Sequence, residues 1–273
     1  MAQVAITLAG DRIIRRTLPD PDEELMPGLV WGRAEALFTP AFWATQVWIF
    51  REQQLVAKPD LRSGESLAEE VAACLLGGHG IRGELGRAAF LRLRDRGLLE
   101  YVPDEYQVEV ALREPLLVGG KWVRYRFPKA KAKFLSLSLS RLQEIDIPLD
   151  SDRTFRNALL ALPGVGMKTA SWITRNWLKS DQVAILDVHV MRAGQILGVF
   201  REEDRLPAGY LSMESRFLQF SKLLGEPASI LDLVIWMLMR RVPSITVQML
   251  RPIRESRKLT QRIAHEQASR MVR

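Results

Sequence analysis

The chain opens with two short runs in which apolar and polar positions alternate, Val4 to Leu8 and Arg12 to Leu18, on either side of Ala9-Gly10-Asp11. Alternation of this kind suits extended strands, and a glycine-containing break between two such runs predicts a small hairpin. Pro19 to Pro27, crowded with Asp20, Asp22, Glu23 and Glu24, predicts a loop. The period then changes. Thr39-Pro40 offers an N-cap and a first helical position ahead of the aromatic-rich run Phe42 to Phe50, which predicts a largely buried helix. After a linker from Pro59 to Glu65, Ser66 to Leu76 is apolar at helical spacing and stops at Gly77-Gly78-His79-Gly80, a turn into another helix around Leu85 to Leu93. From Asp152 onward the pattern is helical, with breaks at Pro163, Asp181, Leu206-Pro207 and Pro243. The predicted fold class is mainly α, with a small N-terminal β-hairpin.

At 273 residues, with 47% apolar and 26% charged positions, the chain has the balance of a globular protein of one large domain or two lobes. Collagen-like, coiled-coil and wholly disordered classes drop out. The net charge of +7 is uneven: Arg240 to Arg273 holds nine basic residues against Glu255 and Glu266. Such a stripe can condense on phosphates by counterion release, or it can be a solvated helix face or tail. A second basic stretch, Gly119 to Lys133, interleaves Lys121, Arg124, Arg126, Lys129, Lys131 and Lys133 with Trp122, Tyr125 and Phe127 and contains no acid. It fits a strand lying along a polyanion, or a solvated strand edge guarded by lysine. Cys74 is the only cysteine, which excludes an intramolecular disulfide and any four-cysteine zinc or iron–sulfur site; its apolar setting, Val71 to Leu76, predicts a buried thiol. His79, His189 and His265 lack paired spacing, so chemistry independent of a transition metal is expected. With no charge-free apolar stretch near ~18 residues and no secretory leader, a soluble cytoplasmic protein is expected.

The stretch that carries chemistry is Phe155 to Arg192. An apolar helix, Phe155 to Ala161, leads into Leu162-Pro163-Gly164-Val165-Gly166 and a second helix from Met167 through Leu178, so the two form a hairpin. Glycines at 164 and 166 let the backbone take unusual dihedrals and approach a ligand closely. The free amides at the start of the second helix favour an anion, and a phosphate oxygen fits; an ordinary corner between helices is the plainer alternative. Lys168 stands in that first turn, where the positive helix end disfavours a second positive charge, so its presence asks for a reason: a phosphate contact or a nucleophilic amine. Asp187 follows the apolar run Val183 to Leu186, nineteen positions after Lys168, and is placed to N-cap the next helix.

Leu-Pro-Gly-Val-Gly-x-Lys followed by Leu-Asp-Val-His at this spacing resembles the helix-hairpin-helix DNA glycosylases, specifically the bifunctional branch that includes 8-oxoguanine DNA glycosylase and endonuclease III; the resemblance spans Phe155 to Gln195. It implies a two-lobed helical fold, with one lobe over 59–179 containing the hairpin and the other formed by 1–58 plus 180–273. It also implies that Lys168 is the nucleophile and Asp187 the catalytic carboxylate, facing each other from opposite lobes. Gly164, Gly166 and Thr169 would give backbone amides to one phosphate, and His189 would contact a neighbouring one. Carbonyls of Leu160, Leu162 and Val165 would hold a monovalent cation, K+ or Na+. The absence of cysteines beyond Cys74 points to the branch without an iron–sulfur cluster.

The activity implied is base-excision DNA repair: removal of an oxidised purine, 8-oxoguanine first among them, through a lysine Schiff base and β-elimination. Damaged double-stranded DNA would be the partner, and the protein would act as a monomer away from membranes. A non-catalytic hairpin module and a monofunctional glycosylase remain the alternatives. Trp172, four residues after Lys168 on the same helix face, is a candidate to stack on an extruded base, with core packing the alternative. His79 could fill the gap left by such a base or simply occupy an exposed turn. Asp232 and Trp236 share a face of the helix Ile230 to Met239, a region that helps to build the base pocket in this family.

Overall fold

The computed structural model describes residues 1–54, 61–78 and 80–243; His79, His265 and the basic residues from Arg251 to Arg273 lie outside the described residues. Strands β1 (Gln3–Ala9) and β2 (Arg12–Leu18) pair antiparallel, with Gln3 opposite Leu18 and Ala9 opposite Arg12, around a turn at Gly10 with φ +63°. Alternation sends Ala5 and Leu18 inward, while Val4, Ile6, Leu8 and Ile13 stand exposed. The segment Pro19 to Pro27 is not all loop: β3 (Glu24–Met26) pairs with β4 (Leu29–Val30) across Gly28, a pairing too short to leave an alternating signature.

Helix α1 (Pro40–Gln54) starts where Thr39 caps it, its hydroxyl oxygen accepting from the Phe42 amide at 3.0 Å. Ser66 caps α2 (Leu67–Leu76) in the same way, through the Glu69 amide at 3.2 Å. Then come α3 (Gly83–Asp95), α4 (Glu105–Arg113) and the hairpin of β5 (Leu116–Val118) and β6 (Lys121–Val123), turning at Gly119-Gly120. The expected basic strand therefore ends at Val123. Helix α5 (Pro128–Glu144) takes over, because Pro128 supplies a first helical residue and an alanine- and leucine-rich sequence follows it. Helix α6 (Asp152–Ala158) continues as a 3-10 turn, Leu159–Ala161; α7 (Met167–Leu178), α8 (Val188–Leu197), α9 (Tyr210–Leu224) and α10 (Ala228–Met239) complete the described chain. Among the described residues, no helix is long and apolar enough to cross a membrane.

The chain divides into two compact units, 60–185 and 1–59 together with 186–273. In the first, α2, α3, α4, α5, α6 and α7 enclose one core that includes Leu76, Phe90, Leu93, Leu112, Leu135, Phe155 and Ile173. Its polar centre is Glu70, fully buried, whose carboxylate accepts from the Asn176 amide nitrogen at 2.7 Å and from the Ser63 backbone amide at 2.6 Å. Burial of a carboxylate is tolerated when hydrogen bonds replace its lost water. The second unit packs α10 against α1, α8 and α9, and buries Trp43, Phe200, Phe217 and Phe220. There Glu226, almost inaccessible, is paired with both Arg16 and Arg51.

Candidate functional site

In the unit 60–185, the Ser151 hydroxyl caps α6 through the Thr154 amide at 3.1 Å, and burial of Phe155 and Leu159 fixes its inner face. The 3-10 turn carries the chain into the hairpin bend: the Leu162 amide donates to the Leu159 carbonyl and the Val165 amide to the Leu162 carbonyl, both at 3.1 Å. Ser138 of α5 pins the bend by donating to the Pro163 carbonyl at 2.6 Å.

The two glycines of the bend have different reasons to be glycine. Gly164 has φ +82°, and a Cβ there would lie 2.7 Å from the Phe134 ring. Gly166 has an ordinary φ of −99°, and a Cβ there would meet nothing within 4 Å. Its bare face opens on space beside the start of α7. As N-cap it provides no side-chain acceptor, and the helix's own ladder begins with the Ala170 amide on the Gly166 carbonyl at 2.9 Å. The amides of Met167, Lys168 and Thr169 therefore have no partner within the helix, the arrangement that suits an incoming anion.

Lys168 is half-buried, its Nζ 5.8 Å from the centre of the Trp172 ring. The far edge of that ring packs on Gly77, where a Cβ would lie 2.9 Å from it. Trp172 thus has a packing role against the end of α2 and stands beside the lysine. Lys131 lies on the same cluster and corrects a sequence expectation. Its ammonium donates to the Leu75 carbonyl at 2.5 Å and to the Gly77 carbonyl at 3.0 Å, satisfying the C-terminal end of α2 rather than waiting for a polyanion. Burial, and then the nearby Lys168, push the Lys131 ammonium below the ordinary lysine range. Tyr125, also expected on the polyanion face, is buried and donates its hydroxyl to the Leu76 carbonyl. Cys74 is the buried thiol expected; burial first, and then Glu70, push it well above the usual thiol range.

Asp187 and His189 belong to the other unit, at the start of α8. One carboxylate oxygen of Asp187, Oδ1, accepts from the His189 amide at 2.8 Å and the Val190 amide at 2.9 Å, the N-cap expected of it. Both bonds go to Oδ1, so Oδ2 is not used by the cap. The His189 Nδ1 is buried without a partner among the described residues, which leaves Nε2 as the imidazole atom for any external contact. In α10, Asp232 is buried, and Trp236 lies beneath the Arg240 guanidinium at 4.6 Å. Glu70, Asn176, Phe134 and Ser138, which support or shape the hairpin, were not singled out from sequence. The one available signal was a glutamate inside the otherwise apolar α2.

A glycine bend between paired helices, uncapped amides and a first-turn lysine are features of the class of helix-hairpin-helix DNA glycosylase folds. A family profile for 8-oxoguanine DNA glycosylase matches residues 53–226, and the chain belongs to that family. The 8-oxoguanine DNA glycosylase/AP lyases of Metallosphaera sedula and Saccharolobus islandicus are each 35% identical to it, over 120 and 125 residues. Each match covers 42% of this chain, and it spans 58% of the first relative's length and 60% of the second's. Among solved structures, the 8-oxoguanine DNA glycosylase of Thermotoga maritima superposes with a TM-score of 0.54 at 22% identity, over 73% of this chain and 96% of its own. The Methanocaldococcus jannaschii 8-oxoguanine glycosylase/lyase, in complex with a 15mer DNA containing 8-oxoguanine, gives 0.52 at 21% identity, over 72% and 88%. At these identities the superpositions establish the shared fold.

Proposed function

We propose that the chain is a base-excision repair enzyme, a bifunctional DNA glycosylase and AP lyase that removes an oxidised purine, 8-oxoguanine foremost, from damaged double-stranded DNA. The observation that carries this reading is Lys168 in the uncapped first turn of α7, beside an open glycine face and the Trp172 ring. The amides of the turn grip a phosphate, with His189 Nε2 on a neighbouring one, while the target nucleotide leaves the stack so that its glycosidic bond can be reached. Asp187 stabilises the positive charge that develops on the sugar as the bond to the base breaks. The amine of Lys168 bonds to the anomeric carbon as the bond to the base breaks and the base leaves; loss of the amine proton and cleavage of the ring C–O bond then give the Schiff base, which acidifies the adjacent sugar proton, whose removal permits β-elimination of the strand. Trp172 offers a face on which the extruded base stacks.

Neutral carbonyl oxygens suit an alkali cation, and the Leu162 carbonyl, although it accepts from Val165, keeps a second lone pair. With Leu160 and Val165 it would hold K+ or Na+, which would screen phosphate charge at the bend. A panel of duplexes, each with one defined lesion, tests the substrate. We expect base release and strand nicking to be fastest with 8-oxoguanine. Release without nicking would favour a monofunctional enzyme, and binding without either step a non-catalytic module.

A further inference from the structure

In three dimensions the basic stretch after Gly119 departs from the strand-edge reading of its sequence and narrows the polyanion reading to part of its residues. Guarding a strand edge accounts for Lys121 alone, because β6 ends at Val123 and Arg124, Arg126, Lys129 and Lys133 all lie beyond it. These four are exposed, whereas Lys131 is consumed by the carbonyls of α2 and Tyr125 is buried. No acidic residue occurs between Pro115 and Gln143, so the sequence itself supplies no local counter-charge. Among the described residues no carboxylate pairs with Arg124, Lys129 or Lys133. The first turn of α5 carries Lys129 and no acid, the reverse of what the helix dipole favours.

The exposed cations belong to the same unit as the hairpin bend, and α5, which carries Lys129 and Lys133, meets that bend through Phe134 against Gly164 and Ser138 on the Pro163 carbonyl. Arg126 stacks on Phe127 at 4.9 Å, and both lie against Gly80. Lys129 and Lys133, four residues apart on α5, share one helix face.

We propose that Arg124, Arg126, Lys129 and Lys133 form a second contact with the DNA backbone, in addition to the phosphate grip of the bend at Gly164 to Lys168. The proposal rests on the reading of that bend as a phosphate site. Contacts to phosphate lengthen the footprint and strengthen binding without selecting a sequence. Its signature is electrostatic: each phosphate neutralised adds about 0.9 to the slope of log affinity against log salt.

The test is a fluorescence-anisotropy titration of the full chain on an undamaged labelled duplex of about 30 base pairs, repeated over a salt series. Three forms are compared: wild type, the triple variant Arg124→Gln/Lys129→Gln/Lys133→Gln, and the charge-keeping triple Arg124→Lys/Lys129→Arg/Lys133→Arg. We expect the neutral triple to have a slope shallower by about 2 to 3 and an affinity lower on the order of 10²-fold near 0.1 M salt, with the charge-keeping triple retaining the wild-type slope. Should the triple fail to fold, the single variant Lys133→Gln answers the same question with a slope shallower by about 0.9. An unchanged slope in a folded neutral variant overturns the proposal, as does an equal loss in the charge-keeping one. Borohydride trapping of the wild-type chain on damaged DNA reads the enzyme assignment separately. Trapping with an unchanged slope sinks the strip alone, and a shallower slope without trapping sinks the enzyme assignment alone.

Discussion

Single residues around the bend separate folding from function. Gly164→Ala forces a Cβ into the Phe134 ring at a positive φ, so it should lower stability by about 1–2 kcal/mol, read as a fall in the denaturation midpoint. Gly166→Ala meets no protein atom and needs no unusual φ. Its stability should stay within about 1 kcal/mol of wild type, because the poorer alanine N-cap is offset by the lower entropy of the unfolded chain; if the open face receives a phosphate, DNA affinity and excision should fall. Equal behaviour of the two variants in both assays would contradict the separate roles.

Asp187 allows a similar division, because asparagine caps a helix about as well as aspartate does, and alanine does not cap at all. Asp187→Ala should cost about 1 kcal/mol of stability through the lost bonds to the His189 and Val190 amides; Asp187→Asn should cost little. If the carboxylate stabilises a cationic sugar, both variants should lose excision strongly despite their different stabilities. Single-turnover excision compared with thermal midpoints settles it: an active Asp187→Asn would confine Asp187 to capping.

At the scale of elements, the parts that were legible in sequence are those with local punctuation. Helix α7 begins where Gly166 places its limit, and α2 begins at its Ser66 cap. The nucleophile candidate and its bend were readable for the same reason, being contiguous and glycine-marked. The short β3–β4 pair was not, since two or three residues carry no period. Nor was the fate of Lys131 legible: its partners, Leu75 and Gly77, lie more than fifty residues earlier, and only the packing of α5 on α2 brings their carbonyls to its ammonium. The aromatic partner of Gly164 was hidden by the same non-local packing.

Further along, Asp204 accepts from Arg216 of α9 at 2.6 Å and from the Arg201 amide at 2.6 Å. Burial alone would raise its carboxyl, but these bonds and the two arginines hold it below the usual aspartate range. Its stabilisation is therefore complete above the unfolded aspartate value and is lost as pH falls through the lower folded one. Asp204→Asn should cost about 1–3 kcal/mol near neutral pH, and the difference from wild type should shrink in acid below about pH 4, followed by urea denaturation. A gap that stays constant down to that range would show that the charge of Asp204 contributes nothing.

For the whole molecule, family membership extends well beyond the hairpin: the matched residues, 53–226, include all of α2 through α9. The sequence motif, Phe155 to Gln195, is a small part of that span. The basic residues from Arg251 to Arg273 lie outside both the family match and the described residues. The central claim concerns the first-turn amine of α7, and sodium borohydride tests it most directly. A duplex containing 8-oxoguanine is incubated with the full chain under reductant, and the covalent adduct is resolved by denaturing electrophoresis. We expect a trapped complex with wild type and none with Lys168→Gln, although the variant still binds the duplex. Undiminished trapping by Lys168→Gln, or no adduct with an active wild-type chain, would contradict a Schiff base at Lys168.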